Sequence, residues 1–234
     1  MEMRFKIFRF DPELDREPRY QDYVVSARPE ERILDCLNRI RWEQDGTLAY
    51  RMSCAHGVCG SDGMKINGRC ALACQKLVKD YLDGEVVLEP LPFFPVVKDL
   101  IVDRGAFDRI IAAGGYISAN TGAAGDGNAM LIGKEVADKA FDAAACLGCG
   151  ACVAACKNAA AMLFVGAKVA HLGYLPQGQP ERSRRALRMV EQMEREGFGA
   201  CSNEGECEAV CPKGISTSHI QILQKDYIKA VLKG

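Results

Sequence analysis

The stretch CLGCGACVAAC, which runs from Cys146 to Cys156, places four cysteines in a C-x2-C-x2-C-x3-C pattern. This spacing is typical of bacterial ferredoxins, in which three cysteines surround one cubic cluster and the fourth points to a neighbouring cluster. Zinc is the alternative, but zinc is usually held by two separate cysteine pairs, and this run is too tight for them. The stretch therefore predicts a domain built around iron–sulfur clusters.

A later cysteine group completes the two-cluster pattern imperfectly. It reads C-x5-C-x3-C-P from Cys201 to Pro212, with Glu204 where a complete run has its middle cysteine. Because the fourth cysteine of each run serves the other cluster, we expect two mixed ligand sets. A [4Fe–4S] cluster is predicted on Cys146, Cys149, Cys152 and Cys211. The remaining three thiolates predict a [3Fe–4S] cluster on Cys156, Cys201 and Cys207.

The carboxylate of Glu204 leaves an alternative open at the [3Fe–4S] cluster. Carboxylate oxygen is a harder ligand than thiolate, yet it is acceptable to iron. Glu204 therefore either stands beside a three-iron cluster or holds a fourth iron itself. Since three thiolates hold three irons, a [3Fe–4S] cluster is the expectation, and a spectrum without its signal would overturn it.

An earlier cysteine group matches a different cluster type. Its pattern, C-x4-C-x2-D-x11-C, has plant-type ferredoxin spacing with an aspartate at the third ligand position. A [2Fe–2S] cluster needs two ligands per iron, and one loop that wraps around the cluster supplies three of the four. Gly57, Gly60 and Gly63 let the main chain approach the cluster and direct amides to its sulfides. The predicted ligands are Cys54, Cys59, Asp62 and Cys74.

Two alternatives stay open for this earlier group. Cys70 lies four residues before Cys74, so on one strand both side chains share a face and Cys70 could replace Asp62. The step of three residues from Cys59 favours Asp62. The cysteines could instead be buried thiols or hold zinc, although this loop spacing fits zinc poorly. Cys36, on a predicted helix, is interpreted as a small core residue.

Secondary-structure patterns divide the chain into two parts. Alternating side chains and an Asn67-Gly68 turn predict strands in the first part, and apolar residues at helical spacing predict one helix. The strands are expected at residues 3–7, 20–27, 64–66, 69–72 and 85–89, and the helix at 30–44. The prediction is an α+β fold, with an N-terminal β-grasp plant-type [2Fe–2S] ferredoxin domain at residues 1–105. An all-α bacterial-ferredoxin-like domain follows at residues 106–234.

Helical spacing dominates the second part of the chain. Residues 97–111 have apolar side chains at steps of three and four. Residues 182–196 are interpreted as a charged amphipathic helix whose arginines face solvent, with a partner site as the alternative. Residues 218–232 are interpreted as the last helix. Directly after residues 97–111, residues 112–128 are rich in glycine, alanine and asparagine and predict an exposed connection.

Composition and charge narrow the classes of function. Lys and Arg number 30 against 31 Asp and Glu, a balance that argues against nucleic-acid binding. Twelve cysteines in 234 residues are too sparse for a disulfide scaffold. The opening MEMRFKIFRF mixes basic and apolar residues and so predicts no signal peptide, and no apolar run approaches the ~18 residues of a membrane span. These features predict a protein of the reducing cytoplasm.

No group of residues has the pattern of an acid, base or nucleophile set, so no catalytic residue is predicted. His56, His171 and His219 are scattered along the chain, and each is interpreted as a surface or core histidine. The chemistry expected of the chain is one-electron transfer, with potentials tuned by amide hydrogen bonds, ligand charge and burial.

The three cysteine groups together resemble the iron–sulfur subunit of succinate dehydrogenases and fumarate reductases. The likeness is carried by residues 53–63, 92–103, 146–156 and 201–213. It implies a flavoprotein partner with covalent FAD and a membrane anchor of cytochrome b type, with quinone at its interface and haem in many members. Electrons would pass from FAD through [2Fe–2S], [4Fe–4S] and [3Fe–4S] to quinone, or in reverse for fumarate reduction. The resemblance also implies attachment, through the anchor, to the cytoplasmic face of the cell membrane.

Some positions depart from the pattern of this family. Lys157 stands where a proline follows the Cys156 position, Ser202 replaces a frequent histidine, and Trp42 is the only tryptophan, whereas other members form the quinone pocket with tryptophans. These differences leave open another quinone or anchor, a flavoprotein complex with a soluble or thiol acceptor, or a free ferredoxin-like carrier. The apolar segment 159–175 either lies against the anchor or packs inside the subunit.

Overall fold

A computed structural model describes residues 1–82, 84–118 and 131–233. The chain forms two compact units. The first consists of Met1–Arg104, Cys149–Ala155 and Val210–Pro212, and the second of Gly105–Gly148, Cys156–Ala209 and Lys213–Gly234. The chain therefore changes unit at the second and third cysteine groups. The domain boundary between residues 105 and 106 stays a prediction.

A five-stranded mixed sheet is the core of the first unit. The strands are β1 (Glu2–Arg9), β2 (Arg19–Ser26), β3 (Gly63–Ile66), β4 (Arg69–Leu72) and β5 (Val86–Glu89). Their order is β2-β1-β5-β3-β4, with β1 parallel to β5 and the other neighbours antiparallel. β3 and β4 are joined by Asn67 and Gly68, both at positive φ, which is the turn that an Asn-Gly pair predicts.

Helix α1 (Ile33–Glu43) completes the β-grasp arrangement of the first unit. Its buried face consists of Ile33, Leu34, Cys36, Leu37 and Ile40. Inward strand residues such as Phe5 and Ile7 are fully buried as well. Cys36 is a free thiol within this core, and burial raises its pKa to about 11. The helical spacing in the sequence therefore predicts the correct face of α1.

Residues 97–111 differ from the helical prediction in their first half. The structure has two short antiparallel strands here, β6 (Val96–Lys98) and β7 (Ile101–Val102). Between them, the buried carboxylate of Asp99 accepts main-chain N–H bonds from Phe10 and Ala49, both at 2.9 Å. These bonds come from distant parts of the chain and hold an extended conformation. The helical prediction was wrong here because apolar spacing carries no information about them.

The second unit is helical. Its described helices are α2 (Gly105–Gly114), α3 (Lys134–Ala144), α5 (Met162–Tyr174), α6 (Arg182–Arg195), α7 (Glu206–Ala209) and α8 (Ser218–Lys233), whereas α4 (Ala151–Ala155) belongs to the first unit. The predicted connection at residues 112–128 begins inside α2, and its residues 119–128 lie outside the described residues. Across the described ranges, none of the helices has the length and apolar character needed to cross a membrane.

Helix α5 is the centre of the second unit. It contacts α3, α6 and α8, and its apolar side chains are buried along most of its length. At Gly166, a Cβ would lie 2.9 Å from the carbonyl oxygen of His219, so the glycine permits close approach of α5 and α8. The apolar segment 159–175 therefore packs inside the subunit, which decides between the two alternatives that the sequence left open.

Helix α6 corrects, at Arg185, the prediction that its arginines face solvent. Arg185 is 1% exposed, and its guanidinium donates hydrogen bonds to the carbonyl oxygens of Gly114, Gly178 and Tyr116 at 3.0, 2.9 and 3.2 Å. Burial lowers the pKa of this arginine. The amphipathic pattern could not separate Arg185 from its solvated neighbours, because the carbonyl groups that bind it come from other segments.

Candidate iron–sulfur centres

The first cysteine group lies on the loop before β3 and on the short 3-10 helix after β4. Cys54 and Cys59 are half-buried on the loop, whereas Asp62 is 3% exposed. Cys74, on the 3-10 helix Ala73–Gln75, is also buried. A carboxylate oxygen of Asp62 accepts the main-chain N–H of Cys74 at 2.6 Å. The β3–β4 hairpin thus brings the fourth predicted ligand back to the loop that carries the other three.

Main-chain amides surround the sulfur of Cys54. The N–H groups of His56, Val58 and Cys59 donate to it at 3.5, 3.3 and 3.3 Å. These donors lower the pKa of the Cys54 thiol to about 6, so the loop stabilises a thiolate. Gly57 turns the loop at a φ of +74°, where a side chain would be strained. A loop that directs amides at thiolate sulfur fits an anionic iron–sulfur cluster.

The four predicted ligands of the first cluster form two neighbouring pairs. Cys59 lies within hydrogen-bonding reach of Cys54, and Asp62 of Cys74. Burial first, and then the adjacent Asp62 carboxylate, raise the pKa of the Cys74 thiol to about 11. Two ligands for each of two irons is the donor set that a [2Fe–2S] cluster requires, so these residues fit that group.

Cys70, the rival of Asp62, has different surroundings. It lies on β4, where burial raises the pKa of its thiol to about 11 and the charge of Lys65 acts in the opposite direction. Asp62, in contrast, is hydrogen-bonded to the main chain of the fourth predicted ligand. The geometry therefore supports Asp62 as the third ligand, and the assignment is carried forward as a proposal.

The predicted ligands of the third cluster, the [3Fe–4S] cluster, line one pocket of the second unit. Cys156 follows α4, Cys201 lies on the loop between α6 and α7, and Cys207 lies on α7. All three open onto a concavity of about 440 Å³, its open mouth included, and Glu204 lines the same concavity. Burial raises the pKa of the Cys207 thiol. Three thiols and a carboxylate around one concavity are a donor set that fits an iron–sulfur cluster.

Asn158 joins the two segments that carry Cys156 and Cys201. Its side-chain amide donates to the carbonyl oxygen of Ala200 at 2.9 Å and to the hydroxyl of Ser202 at 3.1 Å. The segments approach most closely at Gly199, where a Cβ would overlap the carbonyl oxygen of Asn158. Sequence reasoning missed Asn158 as a supporting residue, because a lone asparagine carries no spacing signal.

The predicted ligands of the second cluster, the [4Fe–4S] cluster, are distributed over both units. Cys149, Cys152 and Cys211 belong to the first unit, and Cys146, which follows α3, belongs to the second. This ligand set stays a prediction. Within the described part of the chain, no three His, Cys, Asp or Glu side chains converge on a point where one metal ion would sit. The ligands of a cluster bind different irons and therefore stand further apart than those of a single ion.

Arg104 joins two cysteine-bearing segments within the first unit. Its Nη1 donates to the carbonyl oxygens of Gly60 and Cys149 at 2.9 and 3.2 Å. The same segments meet at Gly63, where a Cβ would lie 3.0 Å from the carbonyl oxygen of Cys149. The loop of the first cluster and the run of the second are thus in main-chain contact, with a positive charge beside both. Spacing alone gave no reason to select this arginine.

Replacement of Arg104 by Leu is expected to lower the reduction potentials of the clusters on these two segments, because a nearby positive charge favours the added electron. The variant also loses two hydrogen bonds from a charged donor, each of which contributes about 1.5–3 kcal/mol to the free energy of unfolding. Redox-titrated EPR and thermal unfolding measure the two effects. The Arg104→Lys variant keeps the charge and should stay near the wild-type potentials. Unchanged potentials in Arg104→Leu would contradict the electrostatic role.

Comparison with known proteins identifies the family. A 2Fe-2S iron-sulfur cluster binding domain matches residues 4–109, and a 4Fe-4S dicluster domain matches residues 142–215. The fumarate reductase iron-sulfur subunit of Mycobacterium tuberculosis is 35% identical over 214 residues, which cover 90% of this chain and 86% of that subunit. The chain belongs to the succinate dehydrogenase and fumarate reductase iron–sulfur subunits. It is therefore an electron-transfer subunit of this oxidoreductase family.

This iron–sulfur subunit has relatives under both family names. The succinate dehydrogenase iron-sulfur subunit of Coxiella burnetii is 50% identical over 107 residues, 45% of each chain. A chain of the Mycobacterium smegmatis Sdh1 complex in the apo form has a TM-score of 0.70 at 19% identity, covering 97% of the subunit and 96% of that chain. The α+β fold, with a [2Fe–2S] domain before a ferredoxin-like domain, is confirmed, as is the family resemblance.

Proposed function

We propose that the subunit relays electrons within a succinate:quinone oxidoreductase. The path runs from the FAD of a flavoprotein subunit through [2Fe–2S], [4Fe–4S] and [3Fe–4S] clusters to membrane quinone. One observation carries the proposal: a single chain of this family combines a loop of four paired donors with a pocket of three thiols. When bound, the clusters supply one-electron redox chemistry, and the chain itself supplies no bond-making residue.

Each proposed cluster has its own ligand set. The [2Fe–2S] ligands are Cys54, Cys59, Asp62 and Cys74. The [4Fe–4S] ligands are Cys146, Cys149, Cys152 and Cys211. The [3Fe–4S] ligands are Cys156, Cys201 and Cys207. Around them, the chain holds the clusters in place, directs N–H groups at their thiolates and limits their exposure to water.

The order of the relay has support in the first unit and in the cysteine run. The main-chain contact of Gly63 with Cys149, together with the bridge from Arg104, gives a short route from the first cluster to the second. Cys152 and Cys156, assigned to different clusters, are only four residues apart. The [4Fe–4S] cluster would thus lie between the other two in the path.

The proposed partners follow from the family. They are a flavoprotein subunit with covalent FAD and a membrane anchor of cytochrome b type, with quinone at the anchor interface and, as in many members of the family, haem in the anchor. The subunit would attach through this anchor to the cytoplasmic face of the cell membrane. The relatives named as subunits of fumarate reductase and succinate dehydrogenase support the flavoprotein partner.

Two further versions of the function have support. The fumarate reductase direction is favoured by the name of the Mycobacterium tuberculosis relative. A complex with a soluble or thiol acceptor is favoured by Lys157, because an exposed lysine lines the third-cluster pocket where the family has proline. The same experiment tests both versions against quinone reduction.

Isolation of the native complex from membranes tests the proposed function. We expect a covalent-flavin subunit and a membrane cytochrome to copurify, three cluster signals by EPR, and quinone reduction driven by succinate. Fumarate reduction driven by reduced quinone, compared in the same preparation, gives the favoured direction. A monomer without partners that cannot couple succinate to quinone would contradict the proposal.

A further inference from the structure

Two residues that depart from the family pattern meet Glu204 at the third-cluster pocket. The Nζ of Lys157 lies 2.7 Å from Oε2 of Glu204, and the hydroxyl of Ser202 donates to Oε1 at 3.3 Å. Ser202 is itself held by the side-chain amide of Asn158 at 3.1 Å. Both oxygens of the Glu204 carboxylate are therefore engaged by groups other than the three thiols.

Glu204 is also the residue with the chemistry to complete a four-iron cluster. It lines the same concavity as Cys156, Cys201 and Cys207, at the position where a complete ferredoxin run has a cysteine. Carboxylate oxygen is an acceptable iron ligand. The side chain of Glu204 is 39% exposed, so rotation from Lys157 toward the thiols requires no rearrangement of a packed core. The pocket thus contains a fourth donor that is engaged elsewhere.

We propose that Lys157 and Ser202 hold Glu204 away from the third cluster and so favour three irons over four at this site. Lys157 is a positioning residue in this scheme, since it acts on the cluster only through Glu204. The inference rests on the proposed assignment of the third cluster to the three cysteines. An ion pair between exposed side chains is weak and screened by salt, so it biases the iron content without fixing it.

Lys157 opposes the conversion of the three-iron cluster into a four-iron cluster. This conversion balances without an external oxidant or reductant. The reduced three-iron core, [3Fe–4S] with no net charge, takes up one Fe²⁺ and becomes a [4Fe–4S] core of charge 2+. The new iron forms bonds to three sulfides of the cluster and to one carboxylate oxygen of Glu204. The carboxylate gives up its contacts with Lys157 and Ser202, and no electron is transferred.

The Lys157→Met variant of the intact complex tests this inference. The complex is reduced under anaerobic conditions, incubated with Fe²⁺ alone, freed of excess iron, and reoxidised with a mild oxidant. The EPR signal of the oxidised three-iron cluster is then compared with the iron content. Because exposed ion pairs are weak, we expect the ratio of four-iron to three-iron sites to rise about two- to fivefold over wild type. High salt should raise this ratio in the wild type as well.

Two control variants make the result specific. The Lys139→Met variant breaks an ion pair of the same 2.7 Å length, with Glu135 on α3, and should convert like the wild type. The Lys157→Met/Glu204→Gln double variant lacks the carboxylate and should stay with three irons. Equal conversion in Lys157→Met and wild type overturns the inference, as does conversion of the double variant. If Glu204→Gln and wild type both lack a three-iron signal, the cluster assignment fails first, and the inference with it.

Discussion

Replacing Asp62 by Ala is expected to remove the first cluster and lower the iron content from about nine to about seven per chain, the sum of the proposed clusters less two irons. Asp62 is buried and accepts the main-chain N–H of Cys74 at 2.6 Å. The substitution therefore removes a proposed ligand and also leaves a buried donor unpaired, which costs about 1–3 kcal/mol. Iron analysis and the EPR spectrum of the reduced complex measure the loss.

Two control variants separate Asp62 from its rival. Asp62→Cys restores a donor at the same position and should retain the cluster with an altered reduction potential, since thiolate is the softer ligand. Cys70→Ala removes a buried thiol on β4 and should leave the spectrum of the first cluster as it is in wild type. A reduced [2Fe–2S] spectrum that survives in Asp62→Ala and disappears in Cys70→Ala would reverse the assignment.

Replacing Gly199 by Ala is expected to abolish most of the three-iron EPR signal. A Cβ at this position overlaps the main-chain carbonyl oxygen of Asn158, and a main-chain obstacle cannot turn aside as a flexible side chain can. The segments that carry Cys156 and Cys201 must then separate. Overpacking of this kind costs about 1–3 kcal/mol. EPR of the oxidised complex and thermal unfolding measure the two effects.

The matched control for Gly199 is another glycine of the second unit. At Gly133 a Cβ meets nothing within 4 Å, so Gly133→Ala should keep the third cluster. The first cluster should survive in both variants, because its proposed ligands lie in the first unit. A full three-iron signal in Gly199→Ala would mean that the two segments need not stay in contact.

The sequence predicts elements well where the signal is local. The strands of the sheet, the Asn67-Gly68 turn and the buried face of α1 follow from alternation, turn chemistry and helical spacing. Helix α8 shows where such spacing fails. Ile228 is one of its apolar residues at helical spacing but is exposed, whereas Asp226 is buried and pairs with Arg182 at 2.8 Å. The buried face of α8 therefore includes a carboxylate, paired with a residue of another helix, that apolar spacing does not predict.

The residues of the candidate site also divide into those that the local sequence predicts and those that it does not. Cysteine spacing selects the proposed ligands because the main chain must wrap closely around each cluster. The residues that support those ligands have no such spacing. Arg104 reaches the carbonyl oxygens of Gly60 and Cys149, and Asn158 reaches the segment after α6. These partners are distant along the chain, so only the tertiary structure identifies them.

The division of the chain into interleaved units has a consequence for biogenesis. The first unit includes residues 149–155 and 210–212, so it is complete only after most helices of the second unit have been synthesised. A nascent chain that ends at residue 104 lacks these segments. Gly63 and Leu91, which Cys149 and Gly150 cover in the folded protein, are then uncovered. Final folding of the first unit therefore awaits the second half of the chain. An iron–sulfur cluster delivered to a ribosome-bound N-terminal fragment would reach a unit that has not finished folding.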